Sequence, residues 1–463
     1  MDDKNSGADP GQFLYSLDER PPLNRTVAYS LQWLAFCLAN SAVVPIVVGN
    51  ALGLDQPGIA ALAQRTFFFQ ALASLLQVLL GHRLPIIEGS SGMWWGIFIT
   101  LAALAPGLGK PLAVLRTDLE MGVMVAGAIL VVVGMTGLVG RALKLFTPAV
   151  TGSVLVLLGL QLSGTFVRGM LGIGHDGTVD VKAAAVSVFV VALVIVISLK
   201  GRGFVRSIAV LIGAGLGWIV AALAGLTGGV GWTHTATVAL PELFAWGPPT
   251  FDAGIILTSV LTGLLVLSNL VASILAMERV LGNNCSPQRR TYDRGVTFTG
   301  ISDLLAGLGA TVGFVPYSAG AGLVSLTRVA SRLPFILFAV VLLLLGLLPP
   351  VGAFLASIPE PVGYSVLLAS FCQMLGIGFK DYAHLKFEGR DYFVVGLPIL
   401  VGSGLMSLPP GVFAGIPAMA RYVLGNGFIA GMLLCLLLEH VLMPLRAEKN
   451  LTGECGEEVN DRK

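Results

Sequence analysis

Apolar residues run through this chain in long blocks separated by short polar joints. Fourteen blocks stand out, at 27–48, 57–80, 84–104, 117–140, 146–166, 183–200, 204–226, 253–277, 293–313, 314–331, 333–354, 359–378, 391–407 and 422–445. Each is close to the ~20 apolar residues a helix needs to cross a bilayer. The pattern predicts an all-α polytopic membrane protein with 14 transmembrane spans. Two blocks depart from ordinary membrane helix. Span 3 contains Glu88-Gly89-Ser90-Ser91-Gly92, and span 10 contains Pro316-Tyr317-Ser318-Ala319-Gly320-Ala321-Gly322. In hydrocarbon, broken backbone persists only where protein or a water-filled cavity satisfies its polar groups.

The longest polar connection, roughly 227–252, divides the spans into seven and seven. An odd number per half inserts the second half upside down. The halves align by spacing: span 1 and span 8 start about 226 residues apart, and Ser90 and Ala319 are 229 apart. This is the signature of a 7+7 inverted repeat, with the interrupted segments marking a transporter's binding site. Charge supplies orientation. On this segmentation, 22 of the 28 Lys and Arg residues fall on the side that holds both termini. Five fall on the other side, and Arg65 lies within span 2. Cationic loops stay cytoplasmic, so both termini are expected inside.

Composition agrees. The chain has 463 residues, a mean hydropathy of +0.85 and 12% charged residues, against roughly 25% in soluble proteins. A net charge of +2 gives no reason to expect a nucleic-acid partner. Cys37, Cys285, Cys372, Cys435 and Cys455 are scattered and odd in number, which argues against a disulfide framework or a zinc site. Most of the 59 glycines are expected to serve close helix packing. No cofactor is implied. The polar ends, 1–26 and 446–463, are expected to be cytoplasmic tails without a recognisable domain.

Several stretches then resemble a known family. Span 1 reads Ser30-Leu31-Gln32-Trp33 through Val43-Val44-Pro45; span 9 reads Arg294-Gly295 through Gly300, then Leu304-Leu305-Ala306-Gly307. In span 10, Gly322, Thr327 and Arg328 fit the spacing of a signature motif. On these residues the chain resembles the nucleobase–ascorbate transporter (nucleobase:cation symporter-2) family. Glu88-Gly89, Trp94-Trp95-Gly96 and Leu397-Pro398 through Pro410 look like its bacterial purine permease and uracil–xanthine permease branch. The resemblance implies a core domain of 27–140 (spans 1–4) and 253–354 (spans 8–11). It implies a gate domain of 146–226 (spans 5–7) and 359–445 (spans 12–14), forming the dimer scaffold. It also implies short strands breaking spans 3 and 10, substrate bound between them, and a homodimer in the bacterial cytoplasmic membrane. Departures are specific. The family's usual Gln-His pair in span 1 has Trp33 here, and the binding acids of uracil permeases align with Asn269 and Ala319. A family His one turn after the first acid aligns with Ser273, and the usual Asn of the span 10 motif with Gly320.

The chemistry expected of these residues follows. A nucleobase presents an edge of donors and acceptors, and a dry pocket must pair it. Backbone N–H groups at the start of a half-helix are suitable donors. Ser318 through Gly322, Ala319 and Gly320 among them, would supply them from span 10; Ser90, Ser91 and Gly92 from span 3. Asn269 offers both a donor and an acceptor, against the alternative of an interhelical bond; Ser273 joins the expected binding set. Glu88 and Asp303 are ionisable groups at membrane depth, functional candidates by default. They are expected to couple protons, against capping for Glu88 and a helix–helix bond for Asp303. Trp94 or Trp95 would stack on a base or pack the interior. Glu439-His440 is expected to make a gate-helix hydrogen bond. The expected function is secondary active transport of a purine-like nucleobase with a proton as coupling ion. Transport of an anion such as urate is the alternative. No metalloprotease pair, nucleophile elbow or phosphate loop points to an enzyme, and no filter motif to a channel.

Overall fold

In the computed structural model, which describes residues 13–90, 92–173, 177–226, 237–282, 289–413 and 415–444, most of the chain is helical. The first half holds α1 (Leu23–Ser41), α2 (Gln56–Leu79), strand β1 (Glu88–Ser90), α3 (Gly92–Leu104) and α4 (Leu112–Met135). It continues through α5 (Pro148–Met170), α6 (Val181–Lys200) and α7 (Ala209–Leu223). The second half holds α8 (Ala253–Val280), α9 (Arg289–Leu308), strand β2 (Phe314–Pro316), α10 (Ala319–Thr327) and α11 (Arg332–Leu345). It ends with α12 (Glu360–Tyr382), α13 (Gly389–Met406) and α14 (Gly427–Leu437). Among the described residues, seven helical segments are long and apolar enough to cross a membrane by themselves.

Local chemistry sets many helix starts. Asp55 accepts from the Gly58 N–H at 2.9 Å, ahead of α2, and Asp252 from the Ile255 N–H at 3.0 Å, ahead of α8. Pro follows or falls within the first turn in α2 and α5, where its missing N–H costs nothing. Packing then selects small residues. A Cβ on Gly127 of α4 would lie 2.7 Å from the Gly300 carbonyl of α9, and one on Gly300 2.6 Å from the Gly127 carbonyl. The two backbones touch, as small residues permit where no hydrophobic force separates helix from lipid.

Two apolar clusters fill the interior. One joins Trp94 and Phe98 of α3 to Leu157 and Leu162 of α5 and Phe371 of α12. The other joins Trp33 and Phe36 of α1 to Phe335 and Phe338 of α11. Outside them, α6 leaves Val188, Ile195 and Leu199 exposed, an apolar surface suited to lipid.

The polar joints are more structured than their composition suggests. Residues 237–252 lie across one end of the bundle: Gln64 donates to the Ala239 carbonyl at 2.9 Å, and Lys110 pairs with Asp118 at 2.6 Å and Asp252 at 2.7 Å. Residues 227–236 of that connection lie outside the described residues. Arg65 is buried within α2, with Glu242 and Glu120 as its charged neighbours. The N-terminal segment, expected as a cytoplasmic tail over 1–26, pairs part of its backbone with the residues that follow α10. Leu14 N–H donates to the Arg328 carbonyl at 2.8 Å, Ala330 N–H to Tyr15 at 2.9 Å and Arg332 N–H to Leu17 at 3.0 Å. Arg328 ends α10 in a left-handed conformation (φ 56°). The helix therefore stops there, and extended backbone is open to pairing. Glu439 is ion-paired with Arg390, and a ring nitrogen of His440 lies 2.9 Å from the Leu145 carbonyl, as the sequence led us to expect of that pair.

Candidate functional site

The two interrupted stretches meet. β1 and β2 pair antiparallel, Glu88 with Pro316, Gly89 with Val315 and Ser90 with Phe314. Gly and Pro weaken helix at these places, and each strand satisfies backbone groups of the other where water is excluded. The close approach requires glycine at 89. A Cβ there would lie 2.2 Å from the Tyr317 ring. That ring is held by its hydroxyl, which donates to the Ser90 carbonyl at 3.1 Å and lies 3.1 Å from Ser41 Oγ.

Beside this junction lies a cavity of about 560 Å³. One wall carries Asn40 of α1, Met93 of α3, Ser268 and Asn269 of α8, and Ser318 and Ala319 at the start of α10. The facing wall carries Thr151 and Leu155 of α5 and Met374, Ile377 and Asp381 of α12. Helices distant in sequence thus enclose one space, with amide and hydroxyl groups on one side and a carboxylate on the other. Asp381 is the only charged residue among the described lining residues. Its Oδ2 accepts a hydrogen bond from Thr151 Oγ1 at 2.8 Å.

The residues singled out from sequence fall into two groups. Asn269 and Ala319 line the cavity. Gly92 stands next to it, where a Cβ would meet Phe371 at 3.6 Å and Met374 at 3.7 Å. Glu88, Ser90, Ser273, Gly320 and Asp303 are not among its lining residues and are buried. Glu88 sits between α2 and α9: its N–H donates to Ser74 Oγ at 3.1 Å and its Oε1 accepts from Thr299 Oγ1 at 3.4 Å. Asp303 Oδ1 accepts from the Phe314 N–H at 2.8 Å, tying α9 to β2. Both carboxyl groups are fully buried, with Gln77 and Thr299 beside Glu88 and the Trp94 indole beside Asp303. The Ser273 hydroxyl lies 2.8 Å from the Asn269 carbonyl and 3.0 Å from the Pro316 carbonyl, so it fastens α8 to β2. The Gly320 N–H is taken by the Tyr317 carbonyl at 3.0 Å. Ser91 lies outside the described residues. Trp94 is fully buried, and Trp95 packs on Phe371 with ring centroids 4.7 Å apart. Both fill the interior, and neither is among the cavity's lining residues.

Sequence reasoning passed over Asp381 and Thr151. The apolar run of span 12 ends near 378, so Asp381 beside Lys380 reads as interfacial charge. α12 in fact continues to Tyr382. The available signal was the lack of any helix breaker between Gly378 and Gly389.

This arrangement of helices, with a largely apolar cavity beside two interrupted segments, is shared with solved membrane transporters. The chain matches the transmembrane domain of a cyanobacterium bicarbonate transporter, BicA, with a TM-score of 0.58 at 14% identity, covering 89% of this chain and 97% of that one. Murine Slc26a9, an anion transporter in the inward-facing state, matches with a TM-score of 0.58 at 13% identity, over 90% of this chain and 68% of that one. Sequence then gives the family. Residues 24–411 match the Xan_ur_permease model, described as Permease family, and the chain belongs to this family of nucleobase–ascorbate transporters. Three Bacillus subtilis (strain 168) relatives illustrate it. The "Putative purine permease YwdJ" is 31% identical over 415 residues, 88% of this chain and 94% of that protein. Uric acid permease PucJ is 27% identical over 437 residues, 92% of this chain and 94% of that protein. A xanthine permease is 26% identical over 445 residues, 94% of this chain and 98% of that protein. These are permeases, not enzymes.

Proposed function

We propose that the protein is a secondary active transporter that carries a purine-like nucleobase across the bacterial cytoplasmic membrane, coupled to protons. The observation that carries this reading is the cavity of about 560 Å³ between the α8–α10 wall and the α5–α12 wall. It is large enough for a bicyclic base, and its Asn269, Ser268 and Ser318 offer donors and acceptors for the base's edge. The names of relatives, purine, xanthine and uric acid permeases, support the substrate class.

In this reading the chain forms 14 spans as a 7+7 inverted repeat, interrupted at spans 3 and 10 by β1 and β2. Spans 1–4 (27–140) and 8–11 (253–354) form the core. Spans 5–7 (146–226) and 12–14 (359–445) form the gate and the scaffold of a homodimer. The two cavity walls belong to core and gate respectively, which suits elevator-like movement of one against the other. Both termini lie in the cytoplasm. The cavity then opens inward, because Leu143, Leu275 and Asp381 stand on the cation-rich face. Glu88 and Asp303 carry the coupling proton within the core; the full burial of two neighbouring carboxylates at membrane depth supports this role.

Uptake by proteoliposomes at a range of pH tests the reading. Purine uptake should rise with an inward proton gradient. Glu88→Gln should flatten that dependence, and Asn269→Ala should raise KM roughly 10-fold by removing one hydrogen-bonding group. If both variants transport like the parent protein, the site and the coupling group lie elsewhere. Transport of an anion such as urate is the second reading, favoured by the uric acid permeases among the relatives. It requires uptake of urate with no uptake of neutral purines.

A further inference from the structure

We propose that Asp381, a carboxylate on the gate, reads an N–H donor of the substrate and so decides which bases the transporter accepts. The inference rests on the transport reading above and deepens it. The core wall of the cavity offers only uncharged groups: amides at Asn40 and Asn269, hydroxyls at Ser268 and Ser318. Of these, the Asn40 amide already donates to the Phe36 carbonyl at 2.7 Å, and the Ser268 hydroxyl to the Leu265 carbonyl at 2.8 Å. Asp381 faces them from α12, half-buried, and no cation is found among the described lining residues.

Its geometry is prepared. Thr151 Oγ1 of α5 donates to Oδ2 at 2.8 Å, which holds the carboxylate in place between two gate helices. Oδ1 accepts no hydrogen bond among the described residues. An ionised carboxylate accepts and cannot donate. A substrate that presents an N–H satisfies it, and a charge-assisted bond of this kind is stronger than a neutral one. A substrate with a methyl group or a carbonyl at the same place cannot make this bond and displaces the solvent that otherwise reaches the half-buried carboxylate. A purine anion meets a like charge there. Asp381 therefore favours neutral, N–H-bearing purines over N-methylated or anionic ones. Sites built to bond a substrate N–H discriminate strongly against analogues lacking it. Thr151 is a positioning residue in this scheme, because it acts through Asp381.

Equilibrium binding to the purified full-length protein tests the proposal, with hypoxanthine, xanthine, guanine, their N-methylated derivatives and urate as probes. Thermal unfolding of every variant is followed in parallel. The parent protein should bind at least one neutral purine and reject one of its N-methylated derivatives. Asp381→Asn should bind that purine roughly 10- to 100-fold more weakly and lose most of the discrimination against the N-methylated form. Its affinity for urate should rise relative to the parent protein. Thr151→Val should show a smaller loss in the same direction, and the unfolding midpoints should stay within a few degrees of the parent's. Unchanged affinity and unchanged discrimination in Asp381→Asn overturn the inference alone. So does an equal loss for every ligand together with a lowered unfolding midpoint, which marks a structural role. A parent protein that binds no purine overturns the transport reading, and this inference with it.

Discussion

At the scale of single residues, the polar side chains of this protein divide between holding the strand junction and facing the cavity. Tyr317 does both, holding the junction and lining the cavity. Its hydroxyl bridges Ser41 of α1 and the Ser90 carbonyl, so Tyr317→Phe removes bonds between segments 276 and 227 residues apart. We predict a loss of about 1 kcal/mol, read as a lowered unfolding midpoint in detergent. Gly89→Ala is predicted to be worse, because the new methyl would enter the Tyr317 ring. Overpacking of this kind costs about 1–3 kcal/mol, and relief by a second substitution, Tyr317→Ala, would identify the clash as its cause. Ser273 shows what alignment leaves open. The resemblance pointed to a binding role, and the Ser273 hydroxyl lies 3.0 Å from the Pro316 carbonyl, against the strand. For Glu88, the position in a broken span was legible. Its partners on α2 and α9 were not.

At the scale of elements, helix pairs repeat one device. α4 and α9 cross at Gly127 and Gly300 with each built Cβ within 2.7 Å of the other backbone. Gly300→Val is predicted to prevent correct packing, seen as loss of the monodisperse peak in size-exclusion chromatography. Gly140→Ala, where a Cβ meets nothing within 4 Å, should leave that peak intact. The many glycines were visible in the sequence as packing signals, but their pairing was not, since residues 127 and 300 carry no mark that joins them. The interruptions at 88 and 316 were equally visible. Their register, Glu88 opposite Pro316, depends on the elements that surround both strands.

At the scale of the whole molecule, the cavity between the α8–α10 wall and the α5–α12 wall predicts that transport requires relative movement of the two. Gly92 and Met374 approach across that boundary, a Cβ on Gly92 lying 3.7 Å from Met374 Sδ. In a background lacking the native cysteines, Gly92→Cys with Met374→Cys should form a cross-link that stops uptake and is reversed by reductant. Uptake persisting in the fully cross-linked protein would exclude elevator movement. Orientation is tested separately. A C-terminal fluorescent-protein fusion should fluoresce in whole cells, as a cytoplasmic terminus requires.

The sequence by itself determined the class of this protein, where the apolar runs lie, and where two of them break. It did so because a hydrocarbon solvent imposes length, apolarity and backbone satisfaction on each segment separately. Tertiary structure alone decided which polar groups face the cavity. Thr151, Asn269, Ser318 and Asp381 meet there from helices far apart in sequence, while Glu88, Ser273 and Asp303 turn into the packing around the strands. Hydropathy reports whether a residue is buried in a segment. Only the packing of segments on one another decides what it is buried against.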